Sequence, residues 1–374
     1  MGTHRAFSKL ARSATALVAA AGVAMAAAPI AAAAPASATG NDQVLSWTEM
    51  GEWGPKANDF PTVMVNQGMT ENISPEGTNV HCVPAPGENP VVMIHGMNSN
   101  AYQTYARMAP ELKAMGKCLY AFNVGKLGPD EFSVLGSIPT MRNMTPLDTA
   151  LAELTAKIDT LKAETGATAV DIVGHSAGGT LAAAYAKQEQ GRGIGTVVSL
   201  AGVLHGTSLL GISYGLEQLD QFDNAGNKAA GYIVSPSLVD LLQHSEFMAK
   251  MNEGGLEQPG VNYVAISTQV DEAVTPMAAS QWQAPTSNNI LLQDGCSADL
   301  SGHIGLTFSP RAIALVANAL GRNVEVPCVP VTAAVEGGIN DNAGVRPEHV
   351  NAVSDGITEI DGRIAQAAGT SQPR

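Results

Sequence analysis

Short apolar runs closed by turn residues recur through the middle of this chain, with helix-like stretches between them. Pro90-Val-Val-Met-Ile-His95, Cys118-Leu-Tyr-Ala-Phe-Asn123 and Ala167 to Val173 each read as a buried strand. Thr196 to Leu200 and Val261 to Ser267 follow the same pattern. Unbroken rather than alternating hydrophobicity marks strands covered on both faces. Thr145-Pro146 opens a helix, with Thr as N-cap and Pro at the first helical position. Leu147, Leu151, Leu154, Ile158 and Leu161 share one face of it, and Gly166 ends it. An Ala-rich helix runs from Leu181 to Gln188. Ser309-Pro310 opens another, with Ile313, Val316 and Leu320 on one face and Gly321 as its stop. This alternation predicts an α/β fold, a mostly parallel sheet flanked by helices.

Around this core the pattern weakens. Residues 39–80 are loop-like, with no internal repeat. The span from about 203 to 260 breaks the rhythm, with Leu216, Leu219, Leu238, Leu241 and Leu242 at helical spacings. It reads either as an inserted helical cap or lid, or as two ordinary helices packed on the sheet. The expected division is a leader at 1–38, an extension at 39–84, a folded domain at 85–330 and a polar tail at 331–374. Val350 to Ala367 is expected to form a weak helix in that tail.

The leader carries a basic start (His4, Arg5, Lys9, Arg12), then an apolar run from Ala14 to about Ala34. Small residues offer cleavage around Ala33 or after Ala36-Ser37-Ala38. A membrane anchor is the rival reading; the Ala-rich run ending in Pro35 and an A-x-A pattern argues against it. The expectation is a secreted, extracellular protein. The whole chain has a formal charge of −14, and residues 1–38 hold three Lys/Arg and no Asp/Glu, so the rest is near −17. Such an acidic chain is not expected to bind nucleic acid, which needs a basic face. Four cysteines in an exported chain suggest two disulfides. Of three connectivities, Cys82–Cys118 and Cys296–Cys328 are favoured because each closes a local loop. No C-x-x-C spacing supports a metal site.

Chemistry concentrates at Gly174-His-Ser-Ala-Gly-Gly179, which lies between a buried strand and a helix. In that setting G-x-S-x-G is a nucleophile elbow with Ser176 as nucleophile. A serine hydroxyl needs a base, usually His, and that His needs a carboxylate to fix its tautomer. His303 lies after the Asn289–Leu292 run and just before a helix, where a base belongs. His205 looks site-lining or structural, His244 lies inside a helix and His349 lies in the tail. Asp271 follows the strand ending at Ser267 and is the expected acid; Glu272 is its nearest competitor, and Asp294 and Asp299 are weaker ones. The backbone N–H groups of Ala177 and Met97 are expected to form the oxyanion hole.

Together these pieces resemble the secreted actinobacterial triacylglycerol lipases, the class 2 lipase family of the α/β-hydrolases. The resemblance spans roughly residues 85–330. It rests on Pro90-Val-Val-Met-Ile-His-Gly96, Gly174-His-Ser-Ala-Gly-Gly179, Asp271-Glu-Ala-Val-Thr-Pro276, and Leu291-Leu-Gln-Asp-Gly-Cys296 leading into His303-Ile-Gly-Leu306. Cys296 with the later Cys328 also fits. The resemblance implies hydrolysis of fatty-acyl carboxylic esters, a Ser176–Asp271–His303 triad, and no organic cofactor. It departs from the pattern at Met97, where these enzymes often carry a smaller or polar residue; that bears on substrate size, since the hole uses backbone. Phe132, Val134, Leu135, Ile138 and Met141 are candidates to line an acyl pocket, or else to cover the sheet. The expected partners are a lipid or ester substrate and transient contact with a lipid interface; a monomer is expected. An exported acyltransferase with the same triad, or a non-catalytic surface module, are the alternatives.

Overall fold

The structure is a computed structural model, and it describes residue 45, residues 48–220 and 223–331, and residue 358. The expected leader, and the expected tail helix apart from residue 358, lie outside the described residues. In chain order, helix α1 (Phe60–Gln67) precedes strand β1 (Val91–Ile94), helices α2 (Ala101–Tyr105) and α3 (Met108–Ala114), and strand β2 (Leu119–Phe122). Then come α4 (Leu147–Thr165), β3 (Val170–His175), α5 (Ala177–Gln188) and β4 (Ile194–Leu200). Helices α6 (Ile212–Asp220), α7 (Ala225–Ile233), α8 (Pro236–Leu241) and α9 (Glu246–Asn252) separate β4 from β5 (Asn262–Ser267). Strand β6 (Asn288–Leu291) and helix α10 (Pro310–Ala319) complete the set.

The six strands form one parallel sheet in the order β2-β1-β3-β4-β5-β6. Register places Phe122, Ile94, Gly174, Ser199, Ala265 and Asn289 in one row across it. The strands end within two residues of that row, and the loops beyond their C-terminal ends share one rim. Pleating sends successive side chains to opposite faces. Val92, Ile94, Tyr120, Phe122 and Ile172 pack with Leu154, Ile158 and Leu181 of α4 and α5. Val91, Met93, Leu119, Ala121 and Val173 pack with Leu112 of α3 and Ile313 and Val316 of α10. Continuous apolar runs are thus what a sheet with two covers requires.

Several local expectations change. Residues 39–80 are not all loop: α1 forms there because Asp59 Oδ1 accepts the Thr62 N–H (2.8 Å). Its Val63 packs with Ala57, Ile73, Tyr102, Ala106 and Phe308. Asn79 lies along the outer edge of β2, donating Nδ2–H to Ala121 O (2.8 Å) and accepting the Ala121 N–H (3.0 Å). Thr145 does not cap α4; the cap position is Pro146, which has no side-chain acceptor. Asp240 of α8 supplies it from a distance, accepting the Leu147 N–H at 2.7 Å. The helix after the elbow begins at Ala177, four residues before Leu181. His244 sits in the turn between α8 and α9, not inside a helix. Ser309 does cap α10, accepting the Ala312 N–H (3.1 Å).

Disulfides join Cys82 to Cys118 and Cys296 to Cys328. The second closes 32 residues and ties the chain after α10 to the loop after β6. Pairing of Leu300 N–H with Val331 O and of Val331 N–H with Ala298 O (both 3.1 Å) continues that tie. The chain-entropy model gives about 3.7 kcal/mol for such a loop. Replacing Cys296 and Cys328 with Ser should lower the unfolding free energy by about 3–4 kcal/mol, read from urea denaturation.

Buried histidines follow β1 and close β3. His95 donates Nδ1–H to Gly96 O (2.8 Å) and accepts the Val124 N–H at Nε2 (3.1 Å). Burial pushes its pKa down to about 4. His175 donates Nε2–H to His303 O (2.9 Å), and burial, then the nearby His303, push it down to about 3. Below about pH 6.5 the unfolded chain protonates both while the fold does not, so stability falls as pH falls. The loss should approach about 1.4 kcal/mol per pH unit for each histidine. Urea midpoints should hold steady from pH 8 to 7 and decline between pH 6.5 and 5, above the carboxylate range.

Candidate active site

The turn from β3 into α5 brings three backbones into contact. A Cβ on Gly178 would lie 2.0 Å from Ile94 O, and one on Gly174 would lie 2.3 Å from Gly178 O. Neither position has room for a methyl group. Ser176 between them takes φ 54° and ψ −126°, a region that side chains rarely occupy and that costs on the order of 1–3 kcal/mol. The strain turns its side chain out from the sheet edge, where it remains partly solvent-accessible. Tyr105, buried under the turn, braces it by donating to Ile94 O (2.8 Å) and Val173 O (3.0 Å).

Ser176 Oγ lies 2.8 Å from His303 Nε2. His303 Nδ1 lies 3.1 Å from Asp271 Oδ2. Because a carboxylate only accepts, Nδ1 carries the proton and Nε2 is left to accept from the serine. Asp271 is itself aimed by two backbone donors, Ala273 N–H (2.9 Å) and Val274 N–H (2.7 Å) on Oδ1. In this chain of contacts the imidazole can take the serine proton while the carboxylate holds its tautomer. Gly96 runs against the elbow, since a Cβ on it would sit 3.0 Å from Ser176 Cβ. Met97 follows Gly96 in the chain, and Ala177, directly after Ser176, begins α5.

The other candidates fall elsewhere. Glu272 turns to the backbone, accepting the His303 N–H (3.1 Å) rather than meeting its ring nitrogens. Asp299 is buried in loop structure, accepting from Ser301 N–H (2.9 Å) and Ser309 Oγ–H (2.7 Å). Asp294 is exposed. His205 is structural: its ring lies between Asn252 Oδ1 (2.5 Å) and Gln281 O (2.9 Å). Among the described residues, no group of three or more His, Cys, Asp or Glu is placed to hold a metal ion.

Ties that sequence reasoning did not find hold the two loops. Thr268 Oγ1 donates to Ser301 O (2.8 Å), and Gln293 Nε2 donates to Thr268 Oγ1 (3.0 Å) and Asp299 O (2.8 Å). Thr207 joins the Asp271 loop to the start of the 203–260 span, donating to Ala273 O (2.7 Å) and accepting the Thr275 N–H (3.1 Å). These are single polar residues in loops, and no local pattern marks them. In that span, Ala230, Val234, Leu238 and Leu242 form an apolar cluster that takes in Met97 and Leu135. Phe132, Val134, Tyr232 and Ile233 stand exposed beyond it. The Phe132 and Tyr232 rings are 5.3 Å apart, and Val134 N–H donates to Tyr232 O (2.9 Å).

Comparison with known proteins bears on this arrangement. No curated protein matches the chain. Among solved structures it is similar to Aspergillus fumigatus lipase B, at 16% identity and a TM-score of 0.49, over 83% of this chain and 81% of that one. It is also similar to the mature form of Bacillus licheniformis lipase BlEst2, at 15% identity and a TM-score of 0.45, over 64% and 94%. The Exiguobacterium antarcticum esterase EaEST is a third, at 14% identity and a TM-score of 0.41, over 63% and 92%. The decisive match is a family model: residues 88–313 match that of Lipase (class 2), and these residues contain Gly96, the elbow, Asp271 and His303. The chain accordingly belongs to the class 2 lipase family, as a carboxylic ester hydrolase of the α/β-hydrolase fold.

Proposed function

We propose that this chain is an exported fatty-acyl ester hydrolase that works through an acyl-serine intermediate on Ser176. The observation that carries the reading is the line from Ser176 Oγ to His303 Nε2 (2.8 Å) and from His303 Nδ1 to Asp271 (3.1 Å). His303 takes the hydroxyl proton as Oγ attacks the acyl carbon, and Asp271 steadies the imidazolium that forms. The Met97 and Ala177 amides receive the oxyanion, charge that they need not reorient to meet. His303 then gives its proton to the leaving alcohol, and water, activated in the same way, releases the acid.

A lipid-like acyl chain is supported by the apolar residues gathered near the site. Met97 and Leu135 pack on the cluster of Ala230, Val234, Leu238 and Leu242, and Phe132, Val134, Tyr232 and Ile233 stand exposed. We read the four helices of the 203–260 span as a cap, and the exposed group as its contact with a lipid interface. Export is supported by the leader at 1–38 together with two disulfides, which persist in oxidising compartments.

Ser176→Ala should lower kcat on a chromogenic fatty ester by roughly 10⁵–10⁶ and abolish labelling by a fluorophosphonate. Asp271→Asn should slow labelling and turnover together, by about 10⁴ in kcat, because the tautomer is wrong. Full turnover in the Ser176 variant would refute the assignment.

A further inference from the structure

The backbone of His303 is held from both sides. Its carbonyl accepts Nε2–H of His175 (2.9 Å), and its N–H donates to Glu272 Oε2 (3.1 Å). Glu272 reaches it across Gly302, where a Cβ would come within 2.7 Å of the same Oε2. The carboxylate is thus pressed against the base's own loop, and the chain there has no side chain to keep it away. Two adjacent carboxylates, Asp271 and Glu272, converge on one histidine: the first on the ring, the second on the peptide behind it. The titratable groups facing Glu272 are Asp271 from its own loop and His303 from the loop ahead of α10. Behind His303 stands His175, ring centroids 4.9 Å apart, held neutral by burial.

We propose that Glu272 is a positioning residue for His303, fixing the base's backbone and setting a second negative charge beside the imidazolium that forms during acyl transfer. This rests on the reading of Ser176 as nucleophile and His303 as base. An acceptor is needed for the His303 N–H, and Gln would serve as well as Glu. A negative charge is needed only if the ring becomes positive. Burial and then the charge of Asp271 raise the Glu272 pKa, while His303 acts in the opposite direction. The fold thus holds two carboxylates against each other and His303 relieves them, so protonation of that ring is favoured by both.

The pH dependence of kcat/KM on a soluble chromogenic ester separates the two roles. Glu272→Gln keeps the acceptor and removes the charge. Losing a nearby negative charge lowers the pKa of a histidine, so the acid limb should move by about one pH unit toward lower pH. kcat should fall on the order of fivefold, with KM within about twofold. Gly302→Ala offers a second route: the atoms nearest the new methyl are those of the flexible Glu272 carboxylate, 2.7 Å away at Oε2, which must shift. It should move the same limb in the same direction. Thermal unfolding shows whether each variant is folded. An acid limb left in place in the folded variants would overturn the proposal, because a purely structural acceptor predicts no shift. Failure of the parent protein to label at Ser176 would instead overturn the reading on which it rests.

Discussion

Contact between the backbones of β1, β3 and the start of α5 is the constraint on which the active rim depends. Gly178 lies against Ile94 O and Gly174 against Gly178 O, closer than any side chain permits. That closeness lets a helix begin immediately after a strand, with one residue between them in a strained conformation. Strain of this kind persists only when its surroundings over-determine it. Here Tyr105 ties the carbonyls of both strands below the turn, and the Ser176 N–H is held by Leu200 O (2.9 Å). Strand β1 ends at the same level, so the chain that continues into Gly96 and Met97 must pass the serine.

The histidine and the carboxylate that meet Ser176 have no such foundation. Asp271 and His303 come from loops, and their placement is assembled from side-chain hydrogen bonds. Thr268, Gln293, Asp299 and Ser301 knit the two loops together, and Ser309 connects that knot to the first turn of α10. The Cys296–Cys328 disulfide closes the outside of the same region. Rigid secondary structure thus presents the serine, and a polar network presents its partners. Thr207 extends the network to the span between β4 and β5, so the Asp271 loop and that span share an anchor.

The legible parts of this molecule were those governed by local rules. Strands buried on both faces produce unbroken apolar runs, and five of the six strands could be read from them; β6, half-exposed, showed only as the Asn289–Leu292 run. The elbow and the Ser309-Pro310 helix start were legible because a few adjacent residues suffice to make each. Features that join distant segments were not. Asp240 caps α4 across 93 positions, and nothing near Leu147 announces it. Helix α1 was hidden in a Pro- and Asn-containing stretch because its stability comes from one cap and from packing on Tyr102 and Phe308. Glu272 was visible as a carboxylate, but its partner, a backbone amide 31 residues away, was not.

Asn79 carries a consequence beyond its own hydrogen bonds. A strand at the margin of a sheet exposes a row of amides and carbonyls ready to recruit another chain. Strand β2 is such a strand, and its outer side is occupied by one asparagine whose carboxamide imitates a peptide group. The Asn79 N–H, bound to Leu119 O (3.0 Å), adds a further rung. A foreign strand would have to displace this strap before it could dock. The segment ahead of the sheet thereby fills hydrogen-bonding positions that a bare sheet margin would leave open.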